Sequence, residues 1–153
     1  MTQIQQVLFP VDLSETSPKI VPVVLKMREK LDARLHLLFV ARAFDHFRGI
    51  YVPNISIETL EAQLAEGAKR RMAEFQEQFF AGLPDIQVSV LAGDISEEIL
   101  AYAEREGIDM IIMGTHGRKG LDRAFFGSIA ERVIKLSPVP VLVVNPYRTK
   151  KNL

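Results

Sequence analysis

A chain of 153 residues can bury roughly 68–70% of the surface that its unfolded form exposes, so one self-sufficient domain spanning 1–153 is expected. Apolar residues make up 48% and charged residues 25%, which excludes wholesale disorder, and 19 Lys plus Arg against 19 Asp plus Glu leaves no bulk attraction toward nucleic acid. The absence of cysteine excludes disulfides, thiolate nucleophiles and cysteine-bound metal.

The start, Met1 to Gln6, has neither the basic residues nor the apolar stretch of a signal peptide, and apolar runs of about five to seven residues fall short of the roughly 20 that cross a bilayer. A cytoplasmic protein without a membrane partner is therefore expected. Val7, Leu8, Phe9 and Val11, interrupted by Pro10, predict a first strand that ends at Asp12-Leu13-Ser14. Ile20, Val21, Val24, Met27 and Leu31 recur near a 3.6-residue period and predict a helix over 17–31, with Pro18 tolerated in its first turn. Leu35 to Val40 reads as the second strand, and the irregular stretch Ala41 to Ser56 as a loop insertion.

A long amphipathic helix is predicted over 57–80, with Leu60, Leu64, Ala68, Met72, Phe75 and Phe79 facing the sheet and Glu58, Glu61, Glu66, Lys69, Arg70, Glu74 and Glu77 facing water. Ile86 to Leu91 supplies the third strand, and Asp94 or Ser96 caps the next helix, with Glu97 spaced from Asp94 as in a capping box. Ile108 to Met113, apolar except at Asp109, reads as a strand covered on both faces. Ile129, Ala130, Val133 and Ile134 mark the last helix, Val139 to Val144 the fifth strand, and Arg148 onward an exposed tail. This alternation predicts an α/β fold: a doubly wound, mostly parallel five-stranded sheet with helices on both faces.

Ligands of such sheets gather outside the C-terminal strand ends, where strand order reverses. The densest chemical signal there is Gly114-Thr115-His116-Gly117-Arg118-Lys119-Gly120, followed by Gly127-Ser128 at a helix start. Glycines let backbone donors approach a ligand without an intervening Cβ, and a helix N-terminus with a serine hydroxyl suits phosphate oxygens. The same glycines could equally serve only to turn the chain, with Ser128 an ordinary cap.

Taken together, Val7-Leu8-Phe9-Pro10-Val11-Asp12, the terminal run Pro140 to Val144, and the pattern Gly114, Gly117, Gly127-Ser128 resemble the universal stress protein family, specifically its ATP-binding branch, over essentially the whole chain. The resemblance implies an adenine nucleotide, ATP with or without magnesium, as ligand. It further implies that Asp12, after Pro10 and Val11, lies at the ribose or adenine side and that Val40 offers backbone recognition of the base. Gly114, Thr115, His116, Gly117, Arg118, Gly127 and Ser128 would then enclose the phosphates. Family likeness also implies a homodimer joined along the last strand and a stress-associated regulatory role with an unidentified protein partner.

Asp12 could instead be a turn or helix-start residue, His116 could meet phosphate or face water, and Arg118, Lys119 and Arg123 could be a solvated basic loop. Three histidines, His36, His46 and His116, show no close metal-ligand spacing, and His36 reads as a strand residue with a local hydrogen bond. A Gly-Lys-Ser/Thr phosphate loop, a dinucleotide fingerprint and a nucleophile elbow are all missing. ATP binding alone does not establish turnover, so slow hydrolysis or phosphotransfer, and a structural interaction protein that uses no nucleotide, stand as alternatives.

Overall fold

The computed structural model describes residues 3–42, 56–116 and 127–148. The elements alternate as β1 (Gln6–Pro10), α1 (Ser17–Leu31), β2 (Arg34–Arg42), α2 (Ile57–Phe80), β3 (Ile86–Gly93), α3 (Ile95–Arg105), β4 (Met110–Gly114), α4 (Ser128–Leu136) and β5 (Val141–Val144). The five strands form one sheet in the order β3-β2-β1-β4-β5, and each pairing is parallel.

Because strand side chains alternate faces, the sheet feeds two cores. Val7, Phe9, Leu35, Leu37 and Ile112 pack with Val24 of α1 and Met72 and Phe75 of α2. Leu8, Leu38, Ile111 and Met113 pack on the opposite face with Ile99 and Tyr102 of α3 and Ala130 and Val133 of α4. The doubly wound α/β architecture expected from the sequence is thus the one observed.

Strand limits differ locally, for identifiable reasons. β4 begins at Met110 rather than Ile108, because the Asp109 carboxylate turns back to accept the backbone N–H groups of Gln5 and Gln6 at 2.8 and 2.9 Å. β5 begins at Val141 rather than Val139, since Val139 bonds locally to the Ser137 hydroxyl and Pro140 has no N–H to give a ladder. The inward stripe assigned to α2 holds only in its C-terminal half: Ala68, Met72 and Phe75 are buried, whereas Leu60 and Leu64 are 37% and 43% exposed. A helix of 24 residues is about 36 Å long, while the eight residues of β3 span about 26 Å, so the antiparallel helix overhangs the C-terminal edge of the sheet. Asp94 caps α3 as expected, accepting the Glu97 N–H at 3.0 Å, but the Glu97 carboxylate reaches Arg132 of α4 at 3.0 Å.

Strand order reverses between β1 and β4, and the sheet opens there. Paired register between them stops at Leu8↔Ile111, although β1 runs on to Pro10 and β4 to Gly114. Val11 N–H donates to the Leu38 carbonyl, so Val11 faces β2 and the preceding Pro10 faces β4. Pro10 has no N–H to continue that ladder. A residue placed in the middle of the sheet, where proline is ordinarily costly, thereby leaves the two strand ends unlaced at the switch point.

Candidate functional site at the strand-order switch

Two strand ends and one helix start converge at this edge. β1 delivers Pro10, Val11 and Asp12; β4 delivers Gly114, Thr115 and His116; and α4 begins at Ser128 after Gly127. The Gly127 N–H donates to the Thr115 carbonyl at 2.7 Å, which pins the two ends of the glycine-rich segment together. Gly117 and Arg118, also expected in the site, lie outside the described residues. Val40 sits in β2, buried and in register with Leu91 of β3. Since alternate residues of a strand face alternate neighbours, Val40 shares the β1-facing side with Leu38 and lies one step beyond the last bond that β1 makes there.

Asp12 organises the turn from β1 into α1. Its Oδ1 accepts the Ser14 N–H at 2.9 Å, the Ser14 hydroxyl at 2.7 Å and the Ser17 hydroxyl at 2.6 Å. This is the turn chemistry expected of an aspartate with hydroxyl residues two and five positions on. Leu13, between them, has φ of 58°, a left-handed conformation uncommon for a side chain of its size. The turn reading of Asp12 is therefore realised through Oδ1, whatever else the carboxylate meets.

Thr115 is the hub on the other side of the crevice. Its N–H donates to the Val144 carbonyl of β5 at 2.9 Å, its carbonyl takes the Gly127 N–H, and its hydroxyl lies 2.7 Å from His116 Nδ1. His116 is 7% exposed, so it does not face water. Its ring stands edge-on to Tyr147 with centroids 5.6 Å apart, and its enclosed Nε2 has no hydrogen-bond partner among the described residues. Lys19 of α1 covers the same tyrosine, its Nζ 5.2 Å from the ring centroid. Gly114 has a packing reason to be glycine: a Cβ there would come within 2.5 Å of Ile20 Cδ1 and 3.1 Å of the His116 carbonyl oxygen.

The start of α4 has the chemistry of an anion site. Its cap residue, Gly127, has no side chain to satisfy the first-turn amides, and the first turn closes only when Glu131 N–H reaches the Gly127 carbonyl. Ser128, Ile129 and Ala130 therefore carry amides that the helix itself does not use, at the positive end of its dipole, and Ser128 is exposed. Gly127 differs from expectation in one respect: its own amide is spent on Thr115, so the donors available at this end begin at Ser128. Among the described residues no cluster of three or more His, Asp or Glu side chains could hold a metal ion.

Arg71 of α2, which donates to the Leu13 carbonyl at 2.9 Å, and Tyr147, which packs on His116, were not distinguished by the sequence. Arg71 falls on the charged face of an amphipathic helix, where nothing in the spacing separates a contact from solvation. Tyr147 lies past the last strand, beside the only local cue, Asn145, whose side chain takes the Tyr147 N–H.

Comparison with known proteins gives a consistent answer. Residues 3–145 match the universal stress protein family. Universal stress protein MJ0577 of Methanocaldococcus jannaschii is 32% identical over 152 residues, covering 92% of this chain and 94% of that protein. Its solved structure superposes with a TM-score of 0.74 at 30% identity, covering 98% of this chain and all of that one. Universal stress protein UspA from Lactobacillus plantarum has a TM-score of 0.76 and 23% identity, covering 95% of this chain and 100% of that one, a likeness of fold. With a family match across nearly its whole length and a relative of this identity and coverage, the chain belongs to the universal stress protein family.

Proposed function

We propose that this protein is a nucleotide-responsive regulatory module of the cytoplasm that binds an adenine nucleotide, ATP, in the crevice between β1 and β4. The observation that carries the reading is the start of α4: a helix N-terminus with no side-chain cap, pinned through Gly127 and Thr115 beside unlaced strand ends. The amides of Ser128, Ile129 and Ala130 and the Ser128 hydroxyl would take phosphate oxygens, a match of dense negative charge with aligned donors. His116 Nε2 is an enclosed polar atom of the kind that a ligand oxygen satisfies. Val40 would read the base through its backbone, and Asp12 would receive a ribose hydroxyl. Gly117 and Arg118 complete the site by their place in the glycine pattern, and magnesium would be held by phosphate oxygens and water.

A second copy is the proposed partner. Ile111 and Thr115 donate to the Pro140 and Val144 carbonyls, so Val141 and Val143 face the outer edge of the sheet. Ile134 and Leu136 of the adjoining helix are 42% and 58% exposed. An apolar strand with an open edge is stabilised by pairing with its own copy.

One alternative has specific support: Gly114 is explained by Ile20 and Asp12 Oδ1 by its turn, as expected of an interaction protein that retains the fold without using nucleotide. Native mass spectrometry of gently purified protein separates the readings. A mass increment of one adenine nucleotide per chain is expected, and a spectrum that stays at the bare chain mass after millimolar ATP is added favours the alternative.

A further inference from the structure

We infer that Arg71 of α2 is a positioning residue for the nucleotide site, acting through the backbone of Leu13; the inference rests on the function proposed above. Leu13 follows Asp12 directly and sits at φ of 58°, in a region where its Cβ crowds the backbone. Non-glycine residues hold such conformations only where surrounding contacts impose them, and these outliers concentrate at ligand sites and clamps. Among the described residues, contacts on two sides impose this one. Asp12 Oδ1 gathers Ser14 and Ser17 on one side, and Arg71 Nη2 holds the Leu13 carbonyl at 2.9 Å on the other, across 58 positions of sequence.

The second contact is the one that the turn cannot make for itself. Relaxation of Leu13 to the right-handed region would swing its carbonyl away from Arg71 and rotate the preceding peptide, which carries the Asp12 backbone at the mouth of the β1–β4 crevice. A guanidinium suits the task because it stays charged at every working pH, presents several donors in a fixed plane and gives a charge-assisted bond to a carbonyl. Arg71 lies one residue before Met72, which is fully buried in the core beneath, so the helix that carries the guanidinium is itself anchored against the sheet. Arg71 thus ties the geometry of the β1–α1 turn to the position of α2.

ATP titration calorimetry on wild type, Arg71→Gln, Leu13→Gly and the double variant tests this. Glycine adopts the left-handed conformation without the Cβ penalty, so it should make the clamp dispensable. Arg71→Gln is expected to weaken ATP by about tenfold, the order of effect of one charge-assisted hydrogen bond. In the Leu13→Gly background the same substitution should cost less than about threefold. An unchanged affinity in Arg71→Gln, or an equal loss in both backgrounds, overturns the inference, because a role in α2 packing or in overall charge would not depend on residue 13.

If wild-type protein gives no heat with ATP, the nucleotide reading fails and the role of Arg71 in positioning that site falls with it. The clamp itself is read separately, from the NMR coupling between the Leu13 amide and α protons without ligand. A left-handed value in wild type that is lost in Arg71→Gln supports the clamp, and the same value in both proteins overturns it.

Discussion

His36 is a base that the fold keeps neutral. It is 3% exposed, its Nε2–H donates to Gln6 Oε1 at 2.8 Å, and its Nδ1 accepts from the Tyr102 hydroxyl at 2.9 Å. Burial pushes its pKa below the usual 6.5; nearby Glu106 opposes that shift and Arg34 adds to it. The same burial raises the Tyr102 hydroxyl, so both members of the pair remain uncharged at neutral pH. Because the folded form resists a proton that the unfolded chain accepts, this pair contributes fully above about pH 6.5, and its contribution is lost as pH falls below that value toward the lowered folded pKa. Urea unfolding should therefore show wild-type stability falling between pH 7.5 and 5.5, by at most about 1.4 kcal/mol per pH unit from this group, with a flatter slope in His36→Gln. Equal slopes in the two proteins would contradict the assignment. From sequence, His36 was legible as a strand residue; the local bond expected of it is replaced by bonds to partners 30 and 66 positions away, because only the folded sheet brings Gln6 and α3 to it.

At the scale of elements, Gly114 shows how packing and site share one position. Its missing Cβ lets α1 lie close over the end of β4, where a methyl group would meet Ile20 Cδ1 at 2.5 Å and the His116 carbonyl at 3.1 Å. Gly114→Ala should destabilise the protein by about 1–3 kcal/mol, the range for inserting a methyl into a packed contact. Shortening the neighbour with Ile20→Val should recover part of the loss beyond additivity, as read from urea midpoints. Strictly additive effects would show that the crowding lies elsewhere. The glycine spacing in the sequence marked this segment, yet could not separate a glycine required by a neighbouring helix from one required by a ligand. The helices were legible because their apolar period and their caps, such as Asp94, are local. The overhang of α2 was not, since it depends on the length of the strands beneath.

Over the whole molecule, the alternation of strands and helices fixed the fold class from sequence, while the strand order β3-β2-β1-β4-β5 came from the structure. That order gives the site its place, because it sets β1 beside β4 and lets Pro10 end their pairing. Thr115 then links three parts: the edge strand through Val144, the start of α4 through Gly127, and the buried His116. A second copy paired on β5 would thus adjoin the residue that holds the helix start proposed to bind phosphate.

The central claim, that amides at the start of α4 bind ATP phosphates, is tested most directly by ATP titration calorimetry of wild type and Ser128→Pro. Ser128 is the first helical residue, where proline is tolerated and its N–H is not needed by the helix, and Gly127 already has the extended backbone, ψ 148°, that a following proline requires. The helix should persist while one amide donor and the hydroxyl are lost. One saturable site per chain is predicted, weakened by about tenfold or more in Ser128→Pro. Equal affinity in the two proteins, or no binding by the wild type at millimolar ATP, would contradict it.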